Sequence, residues 1–463
     1  MKQSKCERII TMRYIPNTKD NIESMIKEIG LKSEADMFKN IPLLLEEKLN
    51  LPGPLSESAL IKRMKNMSDL NAHVQEYASF LGGGTYHHFI PSIISHLTGR
   101  SEFYTAYTPY QPEISQGTLQ AIFEYQTFMC GLIAMDVSNA SMYDGASSAA
   151  EAVLMALRTT KKLKIVISET VNPEYRRVIK TYLSGHLSGH SAEVFEIPFD
   201  KQGKTDVNKL ESIIDKNTAC AVIQTPNFFG IIEDLSTCES IIHKNGALLV
   251  AVFSEPIAYG LLKPPGMFNA DITAGEGQSL GLPPGFGGPY LGVLVSKSKF
   301  LRSMPGRIVG ETTDKNGERA FVLTLSAREQ HIRREKSTSN ICTNEGLCAL
   351  AAAIYLSSLG KQGIRKIARI NYDKSAYTRN KLSTIPGVKL KFSSPTFNEF
   401  VIETKKNSME TVKELSLNKK ILAGIPIGRF YKNLSNCLLI TVTEMNTKEE
   451  IENLCNGLRE LNE

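Results

Sequence analysis

The chain has 463 residues, of which 42% are hydrophobic and 22% charged, so it is globular and roughly two to three times the usual domain size, which excludes a single small module. Its 54 lysines and arginines against 48 aspartates and glutamates leave a net charge of +6, a bias too thinly spread for a nucleic-acid surface. No stretch approaches the roughly 18 uncharged apolar residues of a membrane-spanning helix, so neither nucleic acid nor membrane is expected as a partner.

In chain order, the leading segment MKQSKCERIITM has no apolar signal core, and Met12 is an alternative start. Residues 20–30 place Ile22, Met25, Ile26 and Ile29 on one helical face, with Gly30 as the stop. Leu-rich sequence broken by Pro42, Pro52 and Pro54 follows, and residues 1–75 read as a helical N-terminal arm. From residue 145 the hydrophobic period switches repeatedly. It predicts helices over 145–160, 171–184, 207–215 and 234–245, and strands over 163–168, 193–197, 219–224 and 247–252. Strands alternating with helices of this length mean βαβ units and a mostly parallel sheet, an α/β large domain over 76–330. An Ala/Leu-rich helix over 348–359 and strand-like 400–402 and 438–442 then leave a smaller α+β domain over 331–463.

The familiar chemical signatures are missing or weak. Gly82, Gly83 and Gly84 follow helical-looking sequence, and Gly285, Gly287 and Gly288 lie beside Pro283 and Pro284 with no helix start behind them, so neither reads as a dinucleotide loop. The adjacent His87 and His88, and His186 with His190, read as turn or surface histidines, and no metal site is expected. The eight cysteines (Cys6, Cys130, Cys220, Cys238, Cys342, Cys348, Cys437, Cys455) include no CxxC and no short-chain framework, which points to reduced thiols and the cytoplasm. In residues 143–152 (YDGASSAAEA), Asp144, Gly145, Ser147 and Ser148 open a helix with small side chains, a degenerate form of a phosphate-binding turn or simply a well-capped core helix. Residues 328–340 (REQHIRREKSTSN) read either as a solvated helix face or as an arginine patch at an interface.

Longer motifs carry a resemblance. Residues 107–117 (YTPYQPEISQG), 143–152, 305–311 (PGRIVGE), 327–343 (AREQHIRREKSTSNICT), 424–431 (GIPIGRFY) and 442–447 (VTEMNT) resemble the glycine cleavage P-protein family, specifically subunit 1 of its split form, similar to the N-terminal half of the single-chain enzyme. The resemblance runs from about Met12 to the C-terminus. It implies the fold of type I pyridoxal-phosphate (PLP) enzymes and a reaction that decarboxylates glycine and passes the aminomethyl group to the lipoyl arm of H-protein. Such chemistry needs a Schiff-base lysine and a carboxylate on the pyridine nitrogen.

At the matching positions this chain carries Gln278, within 275–289 (GEGQSLGLPPGFGGP), and Val252, reached from His243 and Gly246 through LLVAV. Neither can do that work, and Lys263, Lys297 and Lys299 are the nearest lysines in sequence. The resemblance therefore implies a subunit without covalent PLP, paired with a PLP-bearing subunit 2 in an α2β2 assembly. Tyr107, Thr108, Tyr110, Gln111 and Gln116 are the residues expected to face the partner's pocket, and Arg333 and Arg334 those expected at an interface. The competing expectation is a structural or regulatory scaffold that never touches substrate.

Overall fold

The structure, a computed structural model, describes residues 17–41, 50–184, 192–339, 341 and 344–462. The expectations for Met12, Cys6, Cys342, His186 and His190 fall outside them. The chain divides into two compact units, Met1–Asn71 and Ala72–Glu463.

In the first unit, Lys19–Glu28 and Glu57–Ser68 are helical and bury none of their residues. Thr18 starts the first helix: its hydroxyl accepts from the Asn21 amide while the Asn21 side chain accepts from the Thr18 amide. The chain leaves through Gly30 at φ +76°.

The second unit opens with a two-residue strand, β1 (Ala78–Ser79), so the three glycines at 82–84 follow a strand and not the helix expected from sequence. Seven strands then make the main sheet: β2 (Val137–Ser138), β3 (Lys164–Ser168), β4 (Glu193–Ile197), β5 (Thr218–Gln224), β6 (Leu248–Phe253), β7 (Ile272–Glu276) and β8 (Gly292–Ser296). Their spatial order is β2-β8-β7-β6-β5-β3-β4. The strands from β3 to β7 pair in parallel, and β8 runs antiparallel to β7 and to β2. Helices cover both faces, so the middle strands are buried on both sides; all seven residues of β5 are buried. Along β6, Val250 and Val252 pack toward the Gly145–Thr160 helix, while Leu249 and Ala251 pack toward the Leu235–Lys244 helix on the other face.

A hairpin, β9 (Ile308–Thr313) and β10 (Arg319–Thr324), leads to the segment before the Gly346–Ser383 helix. That helix outruns the residues 348–359 expected from sequence because Gly360, at φ +60°, joins two helices across a kink. By length and composition it is the one described helix that could cross a membrane, a feature sequence reading passed over. Here Cys348, Ala349, Ala352 and Tyr355 are buried in the core beside the Gln116–Ile133 helix. The small sheet comprises β11 (Lys389–Leu390), β12 (Glu399–Glu403), β14 (Ile425–Pro426) and β15 (Cys437–Thr441) in the order β11-β12-β15-β14, all antiparallel. β13 (Ile421–Leu422) pairs in parallel with β1, which brings residues 80–89 between the ends of the two sheets.

Candidate functional site

An open α/β sheet takes its ligands in the crevice outside the carboxyl ends of its strands. Here that crevice is filled by the chain itself. Gln278, two residues past the end of β7, is fully buried. Its Oε1 accepts from the Tyr86 amide at 2.8 Å, and its Nε2 donates to the Tyr86 carbonyl at 3.0 Å and to the Leu282 carbonyl. The carboxamide therefore pairs with a backbone peptide as another peptide would, using a donor and an acceptor together. Tyr86 is itself fully buried, with its hydroxyl donating to Glu399 Oε2 at 2.9 Å and meeting Ser254 Oγ at 2.9 Å. Its ring thus lies between the residues that follow β6 and β7. Val252, paired in register with Gln224 and Ala274, is buried among aliphatic side chains.

The Gly145–Thr160 helix opens on the same side. Asp144 Oδ1 accepts from the Ser147 amide at 2.7 Å, the Ser147 hydroxyl accepts from the Asp144 amide at 3.2 Å, and the Ser148 hydroxyl donates to the Asp144 carbonyl at 2.7 Å. These residues cap their own helix. The Gly145 N–H that remains is taken by Glu276 Oε2 at 2.9 Å, while Glu276 Oε1 accepts from the amides of Gln278 at 3.0 Å and Leu291 at 2.9 Å. Burial pushes the Glu276 carboxyl up to about 8, against the three amides that favour its charged form.

Pyridoxal phosphate does not fit these residues. The imine-forming amine is absent at Gln278, the carboxylate is absent at Val252, Tyr86 fills the crevice, and Glu276 holds the helix N-terminus where a phosphate would sit. The three lysines nearest in sequence do not take its place. Lys297 donates to Asn269 and to Asp271 Oδ1 at 3.0 Å, and Lys299 lies 3.4 Å from the same carboxylate. Asp271 precedes β7, whose five residues span about 17 Å before Gln278 is reached. Lys263 sits over the Phe268 ring at 4.5 Å.

His88 corrects the surface reading. Its side chain is 2% exposed, with Nε2 2.8 Å from Glu255 Oε2 and Nδ1 2.9 Å from Glu444 Oε2. Both nitrogens face carboxylates, an arrangement that favours the imidazolium, and the ring joins Glu255 beyond β6 to Glu444 beyond β15. Burial pulls its pKa down, but the Glu255 charge and the bonds to both glutamates outweigh this and raise it to about 10. A folded pKa above the unfolded value near 6.5 gives stability that is complete below pH 6.5 and lost as pH rises toward 10. The thermal midpoint of the wild type is therefore expected to fall more between pH 7 and pH 10 than that of His88→Asn; parallel profiles would contradict this.

A second convergence joins three of the long motifs, and its centre is a residue that sequence reading missed. Arg307, 3% exposed, lies 3.3 Å from Glu329 Oε2 through Nε, donates to Tyr110 Oη at 2.9 Å and to Asn344 Oδ1 at 3.3 Å, and stacks 5.3 Å from the Tyr110 ring centroid. An arginine inside an apolar strand-like run beside a glycine was the available signal. Arg328 donates to the carbonyls of Met304 and Gly306 and so is committed inward. Of the two readings of residues 328–340, the continuous helix face is not what forms: the α-helical part is a single turn, Gln330–Arg333, set between the 3-10 turns Ser326–Arg328 and Arg334–Lys336, with Leu325 and Arg334 at positive φ. Arg333 and Arg334 are both exposed.

The predicted contact loop splits in two. Gln116 faces inward: its amide donates to the Phe321 carbonyl and its Oε1 accepts from the Phe321 amide, both at 2.9 Å. Gln126 clamps Val309 in the same way, so one helix fixes both strands of the β9–β10 hairpin. Tyr107 is 74% exposed and Tyr110 47%, and Gln111 is exposed. Tyr107 and Thr108 line a cavity of about 250 Å³ whose opposite wall includes Asn344, Glu345 and Gly346. The Thr108 hydroxyl and the Asn344 amide nitrogen are both buried without a hydrogen-bond partner, and exposed tyrosines beside orphaned polar atoms are what an interface leaves when one side is considered alone.

A family model described as glycine cleavage system P-protein matches residues 12–458. The probable glycine dehydrogenase (decarboxylating) subunit 1 of Desulfitobacterium hafniense is 49% identical over 452 residues, covering 97% of this chain and 100% of the relative. That of Moorella thermoacetica is 47% identical, covering 97% and 99%. Among solved structures, a glycine decarboxylase (P-protein) of the glycine cleavage system in inhibitor-bound form is 40% identical with a TM-score of 0.89, over 97% of this chain and 100% of that one. A sphingosine-1-phosphate lyase from Burkholderia pseudomallei, 15% identical with a TM-score of 0.64 over 91% and 93%, shares the fold alone.

Proposed function

Because the chain belongs to the glycine cleavage system P-protein family, we propose that it is the subunit without PLP in a heteromeric glycine decarboxylase, acting only with a PLP-bearing partner. The observation that carries the proposal is Gln278: at the position that the resemblance assigns to the family's Schiff-base lysine, its carboxamide is engaged with the backbone of Tyr86 and Leu282. In this reading the partner's cofactor supplies the electron sink for glycine decarboxylation, and the aminomethyl group passes to the lipoyl arm of H-protein. The assembly is α2β2 and cytoplasmic. This chain shapes the shared pocket and excludes water from it: Pro109 and Pro112 stiffen the loop that presents Tyr107, Thr108, Tyr110 and Gln111, Gln116 ties that loop to β10, and Arg307 holds the Tyr110 hydroxyl.

Mixing the purified chain with its partner tests this. Glycine-dependent release of carbon dioxide should require both, and the rate per PLP should rise with occupancy by this chain. A scaffold would raise the partner's stability and leave that per-site rate unchanged. Within the complex, Tyr110→Phe removes the acceptor for Arg307 while keeping the ring, and is expected to lower turnover several-fold with assembly intact; unchanged turnover would remove Tyr110 from the pocket. Replacing the exposed Arg333 and Arg334 together by alanine should weaken assembly or H-protein affinity at least about tenfold by loss of their bidentate donors. Wild-type values for both measurements would end the interface assignment.

A further inference from the structure

We infer that Glu276 is a built-in replacement for a cofactor phosphate, a carboxylate from the chain's own β7 that occupies the anion-binding cup at the start of the Gly145–Thr160 helix. This rests on the reading that the chain holds no PLP, and it adds which residue took over the anion's structural task. Three elements converge on one carboxylate: the first amide of a 16-residue helix, the amide of Gln278 beyond β7 and the amide of Leu291 before β8. Glu276 is 3% exposed, so none of these amides has water as an alternative. Asp144 already serves the Ser147 amide, and of the two amides ahead of it the Gly145 N–H is the one that Glu276 takes.

The cup is built closely. A Cβ on Gly145 would meet the Tyr175 hydroxyl and the Glu276 Cβ, so the glycine is what lets the carboxylate approach the helix. The Tyr175 hydroxyl beside it is buried and has no hydrogen-bond partner. A carboxylate offers two oxygens where a phosphate offers at least three, and an orphaned donor is what such a substitution leaves behind. Removal of Glu276 would leave three amides and this hydroxyl around the space its carboxylate fills, with the nearby Asp144 charge weakening the hold on any anion there.

The test is thermal unfolding of the full chain with and without about 20 mM inorganic phosphate, against chloride at matched ionic strength. The wild type should show no specific phosphate shift. Glu276→Ala should lower the midpoint by about 5–10 °C in chloride and recover several degrees in phosphate. Glu276→Gln, which keeps the volume and loses one acceptor, should lower the midpoint without phosphate recovery, because the amide still fills the cup. If Glu276→Ala does not fold from expression, refolding it from denaturant with and without phosphate asks the same question, and a higher folded yield in phosphate is the expected result. An unchanged midpoint for both variants, a phosphate shift as large in the wild type as in Glu276→Ala, or equal refolding yields would overturn the inference. PLP attached to the wild-type chain would instead overturn the reading beneath it, so the two failures are separable.

Discussion

Replacing Arg307 by alanine is expected to destabilise the chain by about 3–5 kcal/mol, because it removes a buried cation 3.3 Å from the Glu329 carboxylate, itself 7% exposed. The same change removes the guanidinium's hydrogen bonds to Tyr110, in another of the long motifs, and to Asn344. In the complex with its partner, turnover should fall about 10–100-fold, since a loop that positions groups at a shared pocket loses its anchor. Arg307→Lys keeps the charge but not the planar fork that serves Glu329, Asn344 and Tyr110 at once, so it should restore most of the stability and little of the rate. Chemical denaturation of the chain and turnover of the reconstituted complex are the two readouts. A lysine variant recovering both in proportion would make Arg307 a stability residue alone.

Restoring lysine at position 278 should not create a cofactor site. Gln278→Lys removes the acceptor from the buried Tyr86 amide, and places an ammonium in a crevice that Tyr86 already fills; a cost of about 3 kcal/mol or more is expected. With PLP the variant should give no visible band that borohydride reduces, and adding Val252→Asp should not change that outcome, because Tyr86 still fills the crevice and Glu276 still takes the helix N-terminal amide. A reducible band on either variant would mean that the crevice opens readily and that only the lysine was missing.

The α/β architecture was legible because its cause is local. A helix over Gly145–Thr160 and a strand over Glu193–Ile197 announce themselves by period and by capping residues such as Asp144. At Gln278 and Val252 the resemblance and the residue types support an expectation, since a residue type either can or cannot form an imine. The contacts around these positions were not legible. Tyr86 lies 192 residues from Gln278, and Gly145 131 residues from Glu276, so no window of sequence holds both partners. His88 read as a surface histidine because both of its carboxylates come from distant elements. The run of arginines at 328–334 drew notice by density, whereas the buried cation that joins the motifs is the isolated Arg307. Gln116 looked like a group offered to a partner, yet both ends of its amide are spent on Phe321.

Whether this chain has a cofactor site of its own is read from the visible absorption spectrum of the purified chain with PLP, before and after borohydride. No reducible band and no retained label are expected on the chain alone, with a band and glycine decarboxylation appearing when the partner is added. A reducible band on this chain by itself, with the label mapped to any of its lysines, would show that it holds PLP without a partner.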